Sequence, residues 1–443
     1  MVTGCQQTPE LPPWLGGTKP AQASTLPPSV SSPAVKPAAA ASAPQTTQTT
    51  QTPPPPVTAD TQPGRLPQAS VTETSVTPPL QGGATQPQRA ANPKGEVRAA
   101  LLLPLSGPQG AIGQVMFNAA QLALFEIADA KFSLLPLDTK GSAEGAAAAT
   151  QQALAQGADI ILGPVFSFEV KAAAPLARDA AIPMLAFTTD RSAAGAGVYA
   201  LGFLPGPQVA RVLAHAKEQR RTRIGVLARS DDYGRAMAEA AKDSITALGL
   251  ELVALEYYDP AATDFTTVVK RFSARRPPPG SKTPFDAVLV PDDGTRLRNI
   301  ASLLTYFLSE GGMEPPKLLG SLLWDDARLI TEPALAGGWY PAPPAAGHGE
   351  FEQRYAKAFG PVPPRTGGLA GIAYDAAALA AALARNGQGD YASLTLQNPN
   401  GFAGVDGIFR LLASGMSERG LTIKEIAPTG AREVAPAPAA FGR

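Results

Sequence analysis

From Val97 to Gly320 the sequence alternates short apolar runs with amphipathic stretches, and this alternation constrains the fold more than any other feature. Val97–Leu105 is an apolar run that ends in Pro104-Leu105-Ser106-Gly107-Pro108, the mark of a buried strand followed by a turn. Gly110 to Asp129 then places apolar residues at Ile112, Val115, Met116, Ala119, Leu122, Ala123 and Ile127, which is helical spacing. The same logic predicts strands over 132–137, 160–162, 183–187 and 199–203, with helices over 142–156 and 167–180. It continues with helices over 207–220, 233–247, 264–275 and 294–309, and strands over 223–228, 251–257, 285–290 and 317–320. A helix over 368–385 and strands over 407–411 and 421–426 follow. Repeated strand–helix units require parallel sheets covered on both faces. Two such runs give two doubly wound α/β lobes.

Residues 6–94 obey a different rule. They hold one aromatic, Trp14, and 19 of the 46 prolines. Such a stretch cannot bury enough apolar surface to offset its ordering entropy. It is expected to be a disordered Pro/Thr/Gln/Ala-rich tether, spanning roughly 50 Å as a coil and about 270 Å fully extended. Residues 428–443 are likewise expected to be a disordered tail. Val2-Thr3-Gly4-Cys5 resembles a bacterial lipobox and holds the sole cysteine. The expectation is lipidation at Cys5, with the leader encoded upstream. An Asp after the lipidated cysteine commonly signals inner-membrane retention, and Gln6 in its place points to the outer membrane.

Several function classes are disfavoured. Charge is balanced at 37 basic and 37 acidic residues, so no basic field invites nucleic acid. No apolar run reaches the roughly 20 residues of a transmembrane helix, so membrane contact is expected through the lipid alone. One cysteine and two histidines, His215 and His348, disfavour a His-rich metal site and a Cys–His nucleophile. Dinucleotide, P-loop and nucleophile-elbow motifs are missing. No enzyme, cofactor or metal is therefore expected. His215 reads as a surface residue and His348 as a structural residue in a loop or helix start. The pairs Asp231-Asp232, Asp292-Asp293 and Asp325-Asp326 read as turn residues and caps.

A resemblance then emerges from motifs in order. Val97–Gly113, Gly157-Ala158-Asp159-Ile160-Ile161-Leu162-Gly163-Pro164, Ile182-Pro183-Met184, Asp232-Tyr233-Gly234 and Asp264-Phe265 together resemble the leucine/isoleucine/valine-binding proteins over roughly 97–427. The resemblance implies a type I periplasmic binding fold, with three crossings between the lobes and a cleft that closes on a ligand. Lobe one is expected over 97–204 and 337–400, lobe two over 205–336 and 401–427. Within that superfamily, four segments look like the penicillin-binding-protein activators of Gram-negative bacteria. They are Leu102–Gly107, Gln121–Phe125, Ala186–Ser192 and Gly401–Gly407. Those activators are non-enzymatic outer-membrane lipoproteins that reach through the cell wall to stimulate a class A peptidoglycan synthase. That synthase is the implied partner. A solute receptor for an ABC importer of amino acids or related molecules is the alternative.

Ligands of open α/β sheets bind outside the carboxyl ends of the strands. The cleft candidates there are Ser106, Ser167, Thr188, Thr189 and Asp190 in lobe one, with Tyr233 and Asp292 in lobe two. Helix N-termini at Ser167 and near Gly110 would favour an anion. Ser167 and Thr188 match positions where the amino-acid binders hold a substrate carboxylate. Two positions depart from that pattern. Asp190 replaces a hydroxyl and would repel an anion unless Arg191 or another group neutralises it. Leu322 stands where those binders carry a Glu for the substrate ammonium, and leucine cannot pair with it.

Overall fold

The computed structural model describes residues 96–441 except Arg365 and Gln388. The lipobox-like segment with Cys5 and the expected tether over 6–94 lie outside the described residues. Lobe one is built on a five-stranded parallel sheet: β1 (Val97–Leu103), β2 (Phe132–Asp138), β3 (Ile160–Leu162), β4 (Met184–Ala186) and β5 (Val198–Ala200), in the order β2-β1-β3-β4-β5. The continuous apolar run of β1 is a consequence of this position. Helices cover both faces of the sheet, so residues of both parities must be apolar. Helix α1 (Gly110–Ile127) packs on one face and helices α2 (Ala143–Ala155) and α3 (Ser167–Asp179) on the other.

Lobe two repeats the plan. Helices α4 (Pro205–Glu218) and α5 (Asp232–Leu248) cover one face of its sheet. Helices α6 (Thr266–Ser273) and α7 (Gly294–Glu310) cover the other. Strands β6 (Arg223–Arg229), β7 (Glu251–Tyr258), β8 (Ala287–Leu289), β9 (Lys317–Leu319) and β10 (Trp339–Ala342) run parallel in the order β7-β6-β8-β9-β10. This is the strand order of lobe one, so each sheet reverses direction at its first strand.

The chain crosses between lobes three times, as the resemblance implies. After β5 it enters α4, and after β10 it passes through a short turn, α8 (Ala327–Ile330) having preceded β10. It then forms α9 (Ala345–Phe359) and α10 (Gly367–Gly387), which return to the lobe-one core. A short helix, α11 (Ser393–Leu396), leads to the hairpin β11 (Phe409–Leu411) and β12 (Ser417–Arg419). The last crossing follows β12 and leads to β13 (Thr422–Ala427) and β14 (Gly430–Ala435). The alanine-rich helix α10 lies in this core, with Ala370, Ala373, Ala376 and Ala380 fully buried.

Four expectations are corrected. Trp339–Ala342 belongs to the sheet of lobe two, not to lobe one. It is a four-residue strand containing Pro341, too short to show a period, and β13 pairs with it antiparallel. Residues 401–419 pack with lobe one rather than lobe two, since Phe409 and Leu411 are buried in its core. The expected disordered tail is in part the edge strand β14, which forms an antiparallel hairpin with β13. Across that hairpin the Arg432 guanidinium meets Glu425 at 2.7 Å. His215, expected at the surface, is buried edge-on against Trp339, with ring centroids 4.7 Å apart.

Candidate functional site

Each sheet has a switch point, between β1 and β3 in lobe one and between β6 and β8 in lobe two, where such folds bind ligands. The sequence-predicted residues follow these strands and β4. A cavity of about 420 Å³ opens beside them, displaced toward the crossings. Lobe one contributes Phe187, Thr189 and Phe203, and lobe two contributes Asp293, Leu322, Asp325 and Asp326. Pro343, His348, Glu352 and the segment before α10 complete the wall. Of the seven predicted cleft residues, Thr189 alone lines this cavity.

Ser167, Thr188 and Asp190 do come together, but around each other. Ser167 donates its hydroxyl to Asp190 Oδ2. The Asp190 backbone N–H donates to the buried Thr188 hydroxyl at 3.1 Å. Asp190 also caps the turn Arg191–Ala193, accepting from the Ser192 N–H at 2.8 Å and hydroxyl at 2.7 Å. Its neutralising cation is Lys171, one turn into α3, at 2.9 Å, rather than Arg191. Partial burial pushes the Asp190 carboxyl up, but Ser167, Lys171 and Ser192 outweigh it and hold the group well below the usual carboxylate range. The start of α3 is likewise engaged by its own chain. Buried Glu169 accepts from the Val165 and Phe166 N–H groups at 3.2 and 3.0 Å and from the Thr139 hydroxyl at 2.6 Å.

Ser106 turns to Asp138, donating its hydroxyl at 2.6 Å. In lobe two, Tyr233 donates to the Ser321 hydroxyl at 3.0 Å, and the Arg229 guanidinium lies 4.9 Å over its ring. Burial pushes the Tyr233 hydroxyl up to about 12, so it stays protonated. Asp292 is fully buried and fully used. It accepts from the Tyr258 hydroxyl at 2.7 Å, from Arg296 at 2.8 and 3.0 Å and from Arg229 at 3.4 Å. Its oxygens serve the framework that buries it.

Leu322 does face the cavity, and its N–H donates to Gln208 Oε1 at 2.9 Å. Asp325 and Asp326 stand beside it with partners of their own. Lys424 lies 3.1 Å from Asp325, and Arg328 lies 2.6 Å from Asp326. Sequence reasoning missed His348 and Glu352 as cleft residues. The Gly-His-Gly stretch leaves a loop and a helix start equally open; the signal for the helix α9 is the helical spacing of the buried Phe351 and Tyr355. His348 Nδ1 sits 2.6 Å from Asp406 Oδ1, and this bond raises the imidazole against the opposing effect of burial. Among the described residues no cluster of His, Cys, Asp and Glu suited to a metal ion occurs.

Two doubly wound lobes with one strand order, three crossings and a cavity lined by both lobes define a two-lobed α/β protein with a cleft. The periplasmic binding protein family profile matches residues 96–415, and the chain belongs to that family, of the leucine/isoleucine/valine-binding type I fold. Membership places it in the periplasm. None of the curated proteins matches the chain. Among solved structures it is similar to a putative branched-chain amino acid ABC transporter protein from Rhodospirillum rubrum. That pair is 19% identical, with a TM-score of 0.64, over 76% of this chain and 100% of that one. An ABC transporter substrate-binding protein from Sphaerobacter thermophilus is 19% identical, with a TM-score of 0.60, over 77% of this chain and 96% of that one. One from Desulfitobacterium hafniense, solved in complex with Leu, is 19% identical, with a TM-score of 0.57, over 76% of this chain and 100% of that one.

Proposed function

We propose that this protein is a non-catalytic lipoprotein, anchored through Cys5 in the outer membrane, whose two-lobed domain activates a class A peptidoglycan synthase. The observation that carries this reading is the state of the lobe-one pole. The positions that would hold a substrate carboxylate are spent on a Ser167–Asp190–Lys171 cluster, and Asp190 adds a negative charge there. At the other pole Leu322 leaves a substrate ammonium without its expected partner. A cleft altered at both poles fits a domain kept for its surface, and the Pro-rich segment supplies the reach to a partner across the wall.

A receptor for an ABC importer is the second reading. The 420 Å³ cavity and the likeness to importer substrate-binding proteins favour it. Thermal unfolding of the protein with each common amino acid separates the two. A ligand at about 100 times its dissociation constant adds roughly 2.7 kcal/mol and raises the unfolding midpoint. The activator reading predicts no rise with any amino acid and retention of a class A synthase in a pull-down. A rise with one amino acid and no synthase retained would make the protein a receptor. Deletion of residues 20–90 should leave synthase binding intact in solution yet abolish function in cells. Normal growth of that mutant, in a strain dependent on this protein, would remove the argument from reach.

A further inference from the structure

We propose that His348, Asp406, Asp375 and Arg419 form a proton-linked latch at the crossings between the lobes, closed while His348 carries its proton. This goes beyond the reading above and holds for either function. His348 follows the second crossing on α9, Asp375 lies on α10, Asp406 stands in the turn before β11, and Arg419 ends β12 just before the third crossing. The Arg419 guanidinium lies 5.1 Å from the ring of Phe203, in the first crossing, and 5.0 Å from that of Phe409. One cluster on the lobe-one side therefore touches the first crossing and flanks the second and third.

Charge balance makes it sensitive to protons. The side chains of Asp375 and Asp406 are fully buried and that of Arg419 is 5% exposed. Arg419 Nη1 donates to Asp375 Oδ2 at 2.7 Å, and the Val405 N–H donates to Asp375 Oδ1 at 2.7 Å. Two buried carboxylates require two cations, because an unpaired buried charge costs several kcal/mol. Arg419 is a permanent cation, and His348, at 2.6 Å from Asp406, is the titratable one. Other groups facing His348 are Glu352 of its own helix at 3.4 Å and Asp325 beyond β9. Asp325 is itself paired with Lys424 of β13 and accepts from the Tyr340 hydroxyl of β10. The carboxylates favour the imidazolium; Lys424 opposes it.

The backbone is shaped to admit this cluster. A Cβ on Gly371 would lie 2.1 Å from Asp406 Oδ2, and one on Gly404 would lie 2.5 Å from Asp375 Oδ2. Asp406 Oδ2 and Arg419 Nη2 are buried without a hydrogen-bond partner among the described residues, so little else buffers a change of charge. His348 is raised chiefly by the Asp406 hydrogen bond, and burial raises Asp375, against Arg419, to about 6. Both shifts mean that the native state holds protons the unfolded chain releases. Stability therefore falls as pH rises, from about 4 to 6 through Asp375 and above 6.5 through His348. His215 has the opposite sign, since burial lowers it, and its effect ends by pH 6.5.

The chain has two histidines, so side-chain NMR of the full-length protein labelled with 15N at histidine resolves both. The latch predicts a His348 midpoint above 6.5 that falls in Asp406→Asn. Spin labels at Gln109→Cys and Asp232→Cys, in a Cys5→Ser background, report the distance between lobes. That distance should lengthen or broaden above pH 6.5 in the native sequence and be indifferent to pH in His348→Gln. A native His348 midpoint at or below 6.5 overturns the proposal without recourse to any variant. So does an interlobe distance that ignores pH while His348 titrates.

Discussion

Asp292 of lobe two and Asp190 of lobe one each stand a few residues beyond the end of an interior parallel strand, Asp292 after β8 and Asp190 after β4, yet they do different work. Asp292 is wholly buried and meets two guanidinium groups and a tyrosine hydroxyl. Asp190 keeps 29% of its side chain exposed and meets one lysine and two serines. A carboxylate under the sheet must be neutralised by the framework that buries it, and is then lost to ligands. A carboxylate at the rim keeps water as an alternative partner, so its ion pair is weak in energy but decisive for what may enter the cleft.

The sharpest way to break this comparison is Asp292→Ala. It leaves the buried Tyr258 hydroxyl without its acceptor and takes one of two carboxylate partners from each of Arg229 and Arg296, which keep Asp231 and Asp293, so a cost of roughly 2–3 kcal/mol is expected, read from denaturant unfolding. A cost below about 1 kcal/mol would mean that Asp292 is not framework and could be a ligand group after all. Tyr258→Phe comes next. It removes one neutral donor to a charged acceptor while the arginines remain, so about 1.5 kcal/mol is expected.

How much of this was legible in the sequence depends on period and on burial. Helices and strands with a full run of apolar positions, such as β1, α1 and α5, stand where the spacing predicts, with ends shifted by a few residues. The four-residue strand Trp339–Ala342 and the edge strand Gly430–Ala435 were not legible, because pairing with other strands, rather than local pattern, makes them strands. The site was half legible. Ser167, Thr188 and Asp190 were placed together, and Leu322 was placed on the cavity. That Lys171 and not Arg191 neutralises Asp190 follows from helical geometry. Residue 171 is one turn beyond Ser167 on the same face of α3, and only the fold sets that face against the β4 loop. His348 and Asp406 lie 58 residues apart, and nothing local joins them.

Asp190→Asn sharpens the comparison at its weak end. At neutral pH the substitution should cost less than about 1 kcal/mol, as a partly exposed pair does. Its pH dependence carries more information than its size. The folded-state pKa of Asp190 lies below the 3.8 of an unperturbed aspartate, so its contribution is present above pH 3.8 and is lost as pH falls beneath that. The difference in unfolding free energy between the native sequence and Asp190→Asn should thus be constant from pH 7 to about 5 and shrink below about 4. The same variant also removes the charge that repels an anion from Ser167 and Thr188. If the ion pair is what closes this pole, Asp190→Asn should still fail to bind α-amino acids alone, because Leu322 offers their ammonium nothing. Joined to Leu322→Glu it should acquire weak binding, visible as a rise in the unfolding midpoint that neither single change produces. Binding by Asp190→Asn alone would show that Leu322 is no obstacle, and would move the weight of the comparison from the two lobes together to lobe one.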